Sequence, residues 1–274
     1  MPSVNNNDVR IYYEDTGAVT GDTNTLDTGG GSGNALVFAH GFTLDRRMWA
    51  GQAAYFSSNY RVVAFDSRGH GKSNAPLTGY SRDHRETDLL AVVDELGLEK
   101  FHLIGLSMGG ATAVGFAIDY PQRLESLVLV SSGVTAYNPS GAQDELTKLA
   151  KEKGIEAARE KWLEMIMGYH RRKPGPTADL IETMIRDHSG GPWRDPNRGK
   201  YDHRNDLELL RSLRLPTLIL VGALDLNFVP MGEQLNDAID GSTLQIIPEA
   251  GHLLNLEMPD EFNARLERWV TEGA

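Results

Sequence analysis

The chain has 274 residues, a formal net charge of −11 and 40% hydrophobic content, enough apolar material for one large core. The acidic balance argues against nucleic-acid binding, which wants a concentrated basic surface, and no apolar run approaches the roughly 20 residues that span a bilayer. The absence of cysteine excludes a disulfide framework and thiolate metal sites and fits a reducing compartment, so the expected location is cytoplasmic.

Residues 1–8 carry neither a basic nor an apolar stretch, so no secretory signal is expected. Residues 9–14 (Val-Arg-Ile-Tyr-Tyr-Glu) alternate as an edge strand does and suggest an antiparallel start to a sheet. Residues 17–34 are rich in Gly, Thr, Asp and Asn and read as a flexible surface insertion. The apolar run 35–39 then enters His40-Gly41-Phe42 and reads as a buried strand with a turn after it. His40 stands at the loop entrance, where an imidazole holding the turn is expected rather than a catalytic base. Residues 61–65 form the next apolar strand and lead into Asp66-Ser67-Arg68-Gly69-His70-Gly71-Lys72-Ser73. The last five of these resemble the end of a phosphate-binding loop, but the glycine needed five residues before Gly71 is Asp66, so nucleotide binding is excluded.

From residue 101 an apolar run passes into Gly105-Leu106-Ser107-Met108-Gly109-Gly110 and then into the small-residue helix former Ala111-Thr112-Ala113-Val114-Gly115. This is the pattern of a serine presented at a sharp strand-to-helix turn, flanked by glycines because side chains at 105 and 109 would collide with the neighbouring helix and strand. Ser107 is the candidate nucleophile.

The strand at 127–130 ends in Ser131 and Ser132 and offers no carboxylate. The buried run from Leu215 ends in Gly222-Ala223-Leu224-Asp225, which makes Asp225 the candidate acid. The last strand, 243–248, precedes Glu249-Ala250-Gly251-His252-Leu253, which makes His252 the candidate base. In a scaffold of this kind the strand-to-helix loop and the residue after the nucleophile each donate a backbone N–H to the oxyanion, here Phe42 and Met108.

The chain order Ser107, Asp225, His252 is that of α/β-hydrolases. Together with His40-Gly41-Phe42, Asp66 to Ser73 and Gly251-His252-Leu253, it makes nearly the whole chain resemble that superfamily. Within it the sequence is similar to compact serine esterases, enol-lactonases and perhydrolase-type enzymes; the epoxide hydrolase and dehalogenase branches carry aspartate at the elbow. The resemblance implies an α/β fold with a mostly parallel twisted sheet, a core made of 1–133 and 213–274, and a helical lid at 134–212. Helical stretches at 143–153 and 155–167 and turn-rich segments at 171–176 and 190–193 fit such a lid. Trp162, Met165 and Trp193 are its candidate pocket residues, with Ile166 and Met167 beside them. His170, His188 and His203 also fall here, without the spacing of a metal site.

The expected activity is therefore hydrolysis of a small carboxylic ester or lactone through an acyl-enzyme, with no cofactor and no metal. C–C bond hydrolysis of a β-diketone-like compound, perhydrolysis, or a non-catalytic receptor for a small molecule are the alternatives the residues leave open. Oligomeric state is not legible.

Overall fold

A computed structural model describes residues 2–17, 35–135, 137, 141–170, 175–197 and 204–272, with the backbone alone at 167–170. Most of the Gly-rich insertion at 17–34, part of the turn at 171–176, and His203 lie outside the described residues. The strands are β1 (Ser3–Asn6), β2 (Val9–Asp15), β3 (Ala35–Ala39), β4 (Arg61–Phe65), β5 (Phe101–Leu106), β6 (Leu124–Val130), β7 (Thr217–Gly222) and β8 (Thr243–Ile247). Between and after them come the helices α1 (Ala50–Phe56), α2 (Arg82–Glu95), α3 (Met108–Asp119), α4 (Ala142–Lys153), α5 (Ile155–His170) and α6 (Pro176–Asp187). The series ends with α7 (Gly191–Arg194), α8 (Asp206–Leu210), α9 (Val229–Ala238), α10 (Leu254–Glu257) and α11 (Pro259–Glu272).

One eight-stranded sheet has the order β1-β2-β4-β3-β5-β6-β7-β8, antiparallel at β1/β2 and β2/β4 and parallel elsewhere. The antiparallel start is as expected, but β2 is not the edge. A hairpin turning at Asn7, whose φ is +52°, folds Ser3–Asn6 back as an outer strand. Asparagine tolerates this left-handed conformation better than most residues.

Strand periodicity sorts the core. Val37, Ala39, Leu103, Leu129, Ile219 and Val221 face one side, covered by α2, α3 and α9 through Leu89, Val114, Phe116 and Leu235. Leu36, Phe38, Ile104, Val128, Leu218 and Leu220 face the other, under Trp49, Phe56, Phe262 and Leu266. Every residue of β3 and β7 is buried, as continuous apolar runs covered on both faces require.

The chain leaves β3 for β4 on one side and returns to β5 on the other. That reversal opens a crevice beyond the carboxyl ends of β3 and β5, where open α/β sheets place their ligands. Helices α4 to α8 lie between β6 and β7 in sequence, and Ile181, Met184 and Ile185 of α6 join the core cluster under α11. Among the described residues no helix is long and apolar enough to cross a membrane.

Candidate active site

Ser107 stands between the last residue of β5 and the first of α3 with φ +55° and ψ −111°. A serine preceding a helix ordinarily adopts extended backbone and accepts a hydrogen bond from the first turn. Here the backbone is strained and the hydroxyl makes no such bond. The strain is held by close packing on both sides. A side chain at Gly105 would come within 2.5 Å of the Gly109 carbonyl, and one at Gly109 would overlap the carbonyls of Ala39 and His40.

His252 and Asp225 approach from the ends of β8 and β7. His252 Nδ1 lies 2.7 Å from Asp225 Oδ2. A carboxylate only accepts, so Nδ1 carries the proton and Nε2 presents its lone pair. The two loops pass in direct backbone contact. The N–H of Leu224 donates to the Ala250 carbonyl at 2.9 Å, and Gly222 leaves no room for a Cβ beneath the carbonyls of Ala250 and Gly251.

Ser107, His252 and Asp225 all line one cavity of about 750 Å³. Phe42 and Met108 line it too. Met108 opens α3, so its N–H has no intrahelical acceptor, and the dipole of a helix favours negative charge at this end. The turn carrying Phe42 is closed by the Leu44 N–H donating to the Gly41 carbonyl at 3.2 Å, which leaves the Phe42 N–H outside the turn's own bonding.

His40 is buried and fully used: Nδ1–H donates to the Gly41 carbonyl at 2.8 Å, and Nε2 accepts from the Ser67 N–H at 2.9 Å. Burial holds its pKa below the ordinary histidine value. It is a neutral strut between the two loops, as its position in the sequence suggested. The phosphate-loop resemblance at 69–73 has a direct structural resolution: Gly71 packs on the carboxylate of Asp66, which accepts from the N–H groups of Arg46 (2.9 Å) and Lys72 (2.8 Å). The loop wraps a carboxylate of its own, and the next helix begins only at Arg82.

A family model described as "alpha/beta hydrolase fold" matches residues 34–259. The chain belongs to the α/β-hydrolase fold family. It is 30% identical over 243 residues to 3-oxoadipate enol-lactonase 2 of Acinetobacter baylyi, covering 85% of this chain and 87% of that protein. It is 29% identical over 283 residues to a 2-hydroxy-6-oxononadienedioate/2-hydroxy-6-oxononatrienedioate hydrolase of Paraburkholderia phymatum, covering 94% and 90%. The crystal structure of the enol-lactonase from Burkholderia xenovorans superposes with a TM-score of 0.83 at 25% identity, covering 98% of this chain and all of the other.

In this α/β-hydrolase the ring of Phe42 is the hub between sheet and helical block. It meets His70, Trp162, His188 and Trp193 edge-on, with centroids 5.5–6.0 Å apart. Trp162 also donates from Nε1 to Thr43 Oγ1 at 2.7 Å. Trp162, Met165 and Ile166 line the cavity. Trp193 does not. It is 1% exposed and packs behind Phe42 with Leu146, Ala150 and Ala158, so its assignment to the pocket is corrected. A tryptophan in a four-residue helix has no periodicity to say which side it faces. His188 is equally buried, and burial pushes its pKa down to about 3. His170 has no described side chain, and among the described residues no three metal-ligating groups come together.

Two residues near the site were not singled out by sequence. Glu257 accepts from the N–H groups of Gly251 (2.6 Å) and Leu253 (2.9 Å), and Phe228 packs on His252. The six-residue separation of Gly251 and Glu257 carries no periodic signal; a carboxylate shortly after a Gly-His pair is the only local hint of a loop clasp.

Proposed function

We propose that this α/β-hydrolase cleaves a small carboxylic ester or lactone through an acyl-enzyme formed on Ser107. The observation that carries the reading is the convergence, on one cavity, of a strained unbonded serine and a histidine whose proton is fixed on Nδ1 by a carboxylate. Ser107 Oγ attacks the carbonyl carbon while His252 Nε2 takes its proton. Asp225 holds the tautomer and stabilises the imidazolium that results. The N–H groups of Phe42 and Met108 receive the charge that develops on the carbonyl oxygen. The imidazolium then protonates the leaving alkoxide, and water, deprotonated by the same nitrogen, releases the acid and restores Ser107.

The helical block at 134–212 acts in this account as a lid, because Trp162, Met165 and Ile166 put its side chains on the cavity wall. The enol-lactonase relatives favour a lactone or ester carbonyl as the target. The Paraburkholderia phymatum relative supports cleavage next to a ketone as the second reading.

A panel of p-nitrophenyl esters, lactones and β-diketones tests the choice. Esters or lactones should turn over, and Asp225→Asn should lower that turnover by about 10⁴-fold with the fold intact, since the amide favours the wrong tautomer. Turnover confined to β-diketones would select the second reading. A protein that bound a ligand stoichiometrically and turned over nothing would be a receptor.

A further inference from the structure

Phe228 lays its ring against the imidazole of His252, with centroids 4.6 Å apart and planes tilted by 42°. It lies three residues beyond Asp225. The N–H groups of Phe228 and Val229 both donate to the Asp225 carbonyl, at 2.9 and 3.1 Å, so one turn presents both the carboxylate and the ring. Behind Phe228 stands Tyr137, from the segment after β6, edge-on with centroids 5.3 Å apart and planes at 70°. The Tyr137 hydroxyl donates to the Asn227 carbonyl, and its side chain rests on Gly133, where a Cβ would collide with it. Burial, then the charge of Asp225, raises the Tyr137 pKa above its ordinary value, which keeps the hydroxyl a donor.

An imidazole tethered at Nδ1 by one hydrogen bond can still rock about that bond. Nε2 is across the ring from the tether, so a small rocking angle displaces the atom that must meet Ser107 Oγ. Misplacement of a reacting group by about 1 Å costs on the order of 10²-fold in rate. An aromatic ring in van der Waals contact with one face of the imidazole removes that freedom in one direction.

We propose that Phe228 is a positioning residue for His252, and that Tyr137 is the brace that seats it. The inference rests on the reading of His252 as the general base. Phe228 and Tyr137 also line the cavity, so a plain wall role is the competing account and would show in KM.

The test uses the full chain with p-nitrophenyl acetate and a serine-directed phosphonate, on Phe228→Leu, Phe228→Ala, Tyr137→Ala and the double variant Phe228→Ala/Tyr137→Ala. Phe228→Leu keeps apolar volume without a flat face, so it reports positioning even if the alanine variant folds poorly. The expected result is a fall in kcat of roughly 10-fold or more in both Phe228 variants, with KM little changed and phosphonylation of Ser107 slowed in the same proportion. Tyr137→Ala should reproduce part of the loss, and the double variant should be no slower than Phe228→Ala, because the brace acts through the ring. Unchanged kcat in Phe228→Leu, a change confined to KM, or fully additive losses would overturn the proposal. A wild-type protein that neither turned over esters nor took the phosphonate at Ser107 would instead overturn the hydrolase reading, whatever the variants did.

Discussion

Glu257 grips the backbone on both sides of His252, accepting from Gly251 N–H with one carboxylate oxygen and from Leu253 N–H with the other. The loop that carries the candidate base is thereby clamped by a residue of the short helix that follows it. A second tie runs through Asn255, whose Nδ2 donates to the Met48 carbonyl at 2.8 Å and to Gln52 Oε1 at 3.2 Å. Charge-assisted bonds to backbone N–H groups are about twice as strong as neutral ones, which makes Glu257 the stronger clasp.

Glu257→Ala should therefore lower kcat by roughly 10–100-fold, as expected when a reacting group loses its fixed position. Glu257→Gln keeps only one acceptor oxygen and should fall between the alanine variant and wild type. Steady-state kinetics on a p-nitrophenyl ester, with a melting curve beside each variant, checks this. Wild-type kcat in Glu257→Ala would show that the loop is held by Asn255 and packing alone.

Stability should depend on pH through Glu86. This α2 side chain is 2% exposed and fills the space left by Gly115, and burial pushes its pKa up to about 8. Arg82 Nε lies 2.6 Å from Glu86 Oε1 but directs its N–H at Asp83, while Glu86 shares a hydrogen bond with Asp119. The folded pKa is above the unfolded one, so the stabilising contribution of the neutral acid is complete below the ordinary carboxyl value and is lost as pH rises through about 8. Glu86→Gln keeps the shape and a donor for Asp119. Its melting temperature should fall less than that of wild type between about pH 6 and pH 9. Parallel curves for the two proteins would count against a neutral Glu86.

His188 should act in the opposite direction. Its folded pKa is depressed, so its contribution is complete above the ordinary histidine value and is lost as pH falls toward about 3. With Phe42 and Trp193 against its ring, protonation there should loosen the helical block from the Phe42 turn. Tryptophan emission should accordingly hold steady above about pH 5 and change as pH falls through about 3, and an emission spectrum that does not change down to about pH 2 would contradict that coupling.

Chain-length preference should reside in Met165 more cleanly than in Trp162. Met165 is 40% exposed and lines the cavity, so Met165→Ala opens space without hollowing the core. The ratio of kcat/KM between long and short acyl esters should shift by roughly 10-fold, since a few methylene contacts are worth about 1–3 kcal/mol. Trp162 also holds Thr43 and Phe42, so Trp162→Ala should depress activity toward all esters. An unchanged profile in Met165→Ala would remove that residue from the pocket.

The strands β3 and β4 are legible from sequence to the residue, because buried strands covered on both faces are apolar runs with polar ends. Strand β1 is not, since Ser3-Val4-Asn5-Asn6 is half-exposed and pairs on one side only, so nothing in its composition demands burial. Ser107, Asp225 and His252 can be picked out as candidates from sequence because each follows a strand with its own local signature. Glu257 cannot, because it bonds backbone N–H groups, which every residue around it also carries. Phe228 cannot, because its contact with His252 exists only after two loops have been brought together through Gly222. The misplacement of Trp193 has the same origin: the sequence shows an aromatic side chain near the site, and only packing decides which side of Phe42 it occupies.

Covalent capture separates Ser107 from any other nucleophile in the cavity. The native chain is treated with a p-nitrophenyl phosphonate, and the adduct is located by peptide mass spectrometry beside Ser107→Ala as control. One phosphonyl group per chain is expected, on Ser107, with loss of ester turnover in step with labelling and no adduct on Ser107→Ala. Labelling at another residue, or a Ser107→Ala protein that keeps its turnover, would contradict Ser107 as the nucleophile.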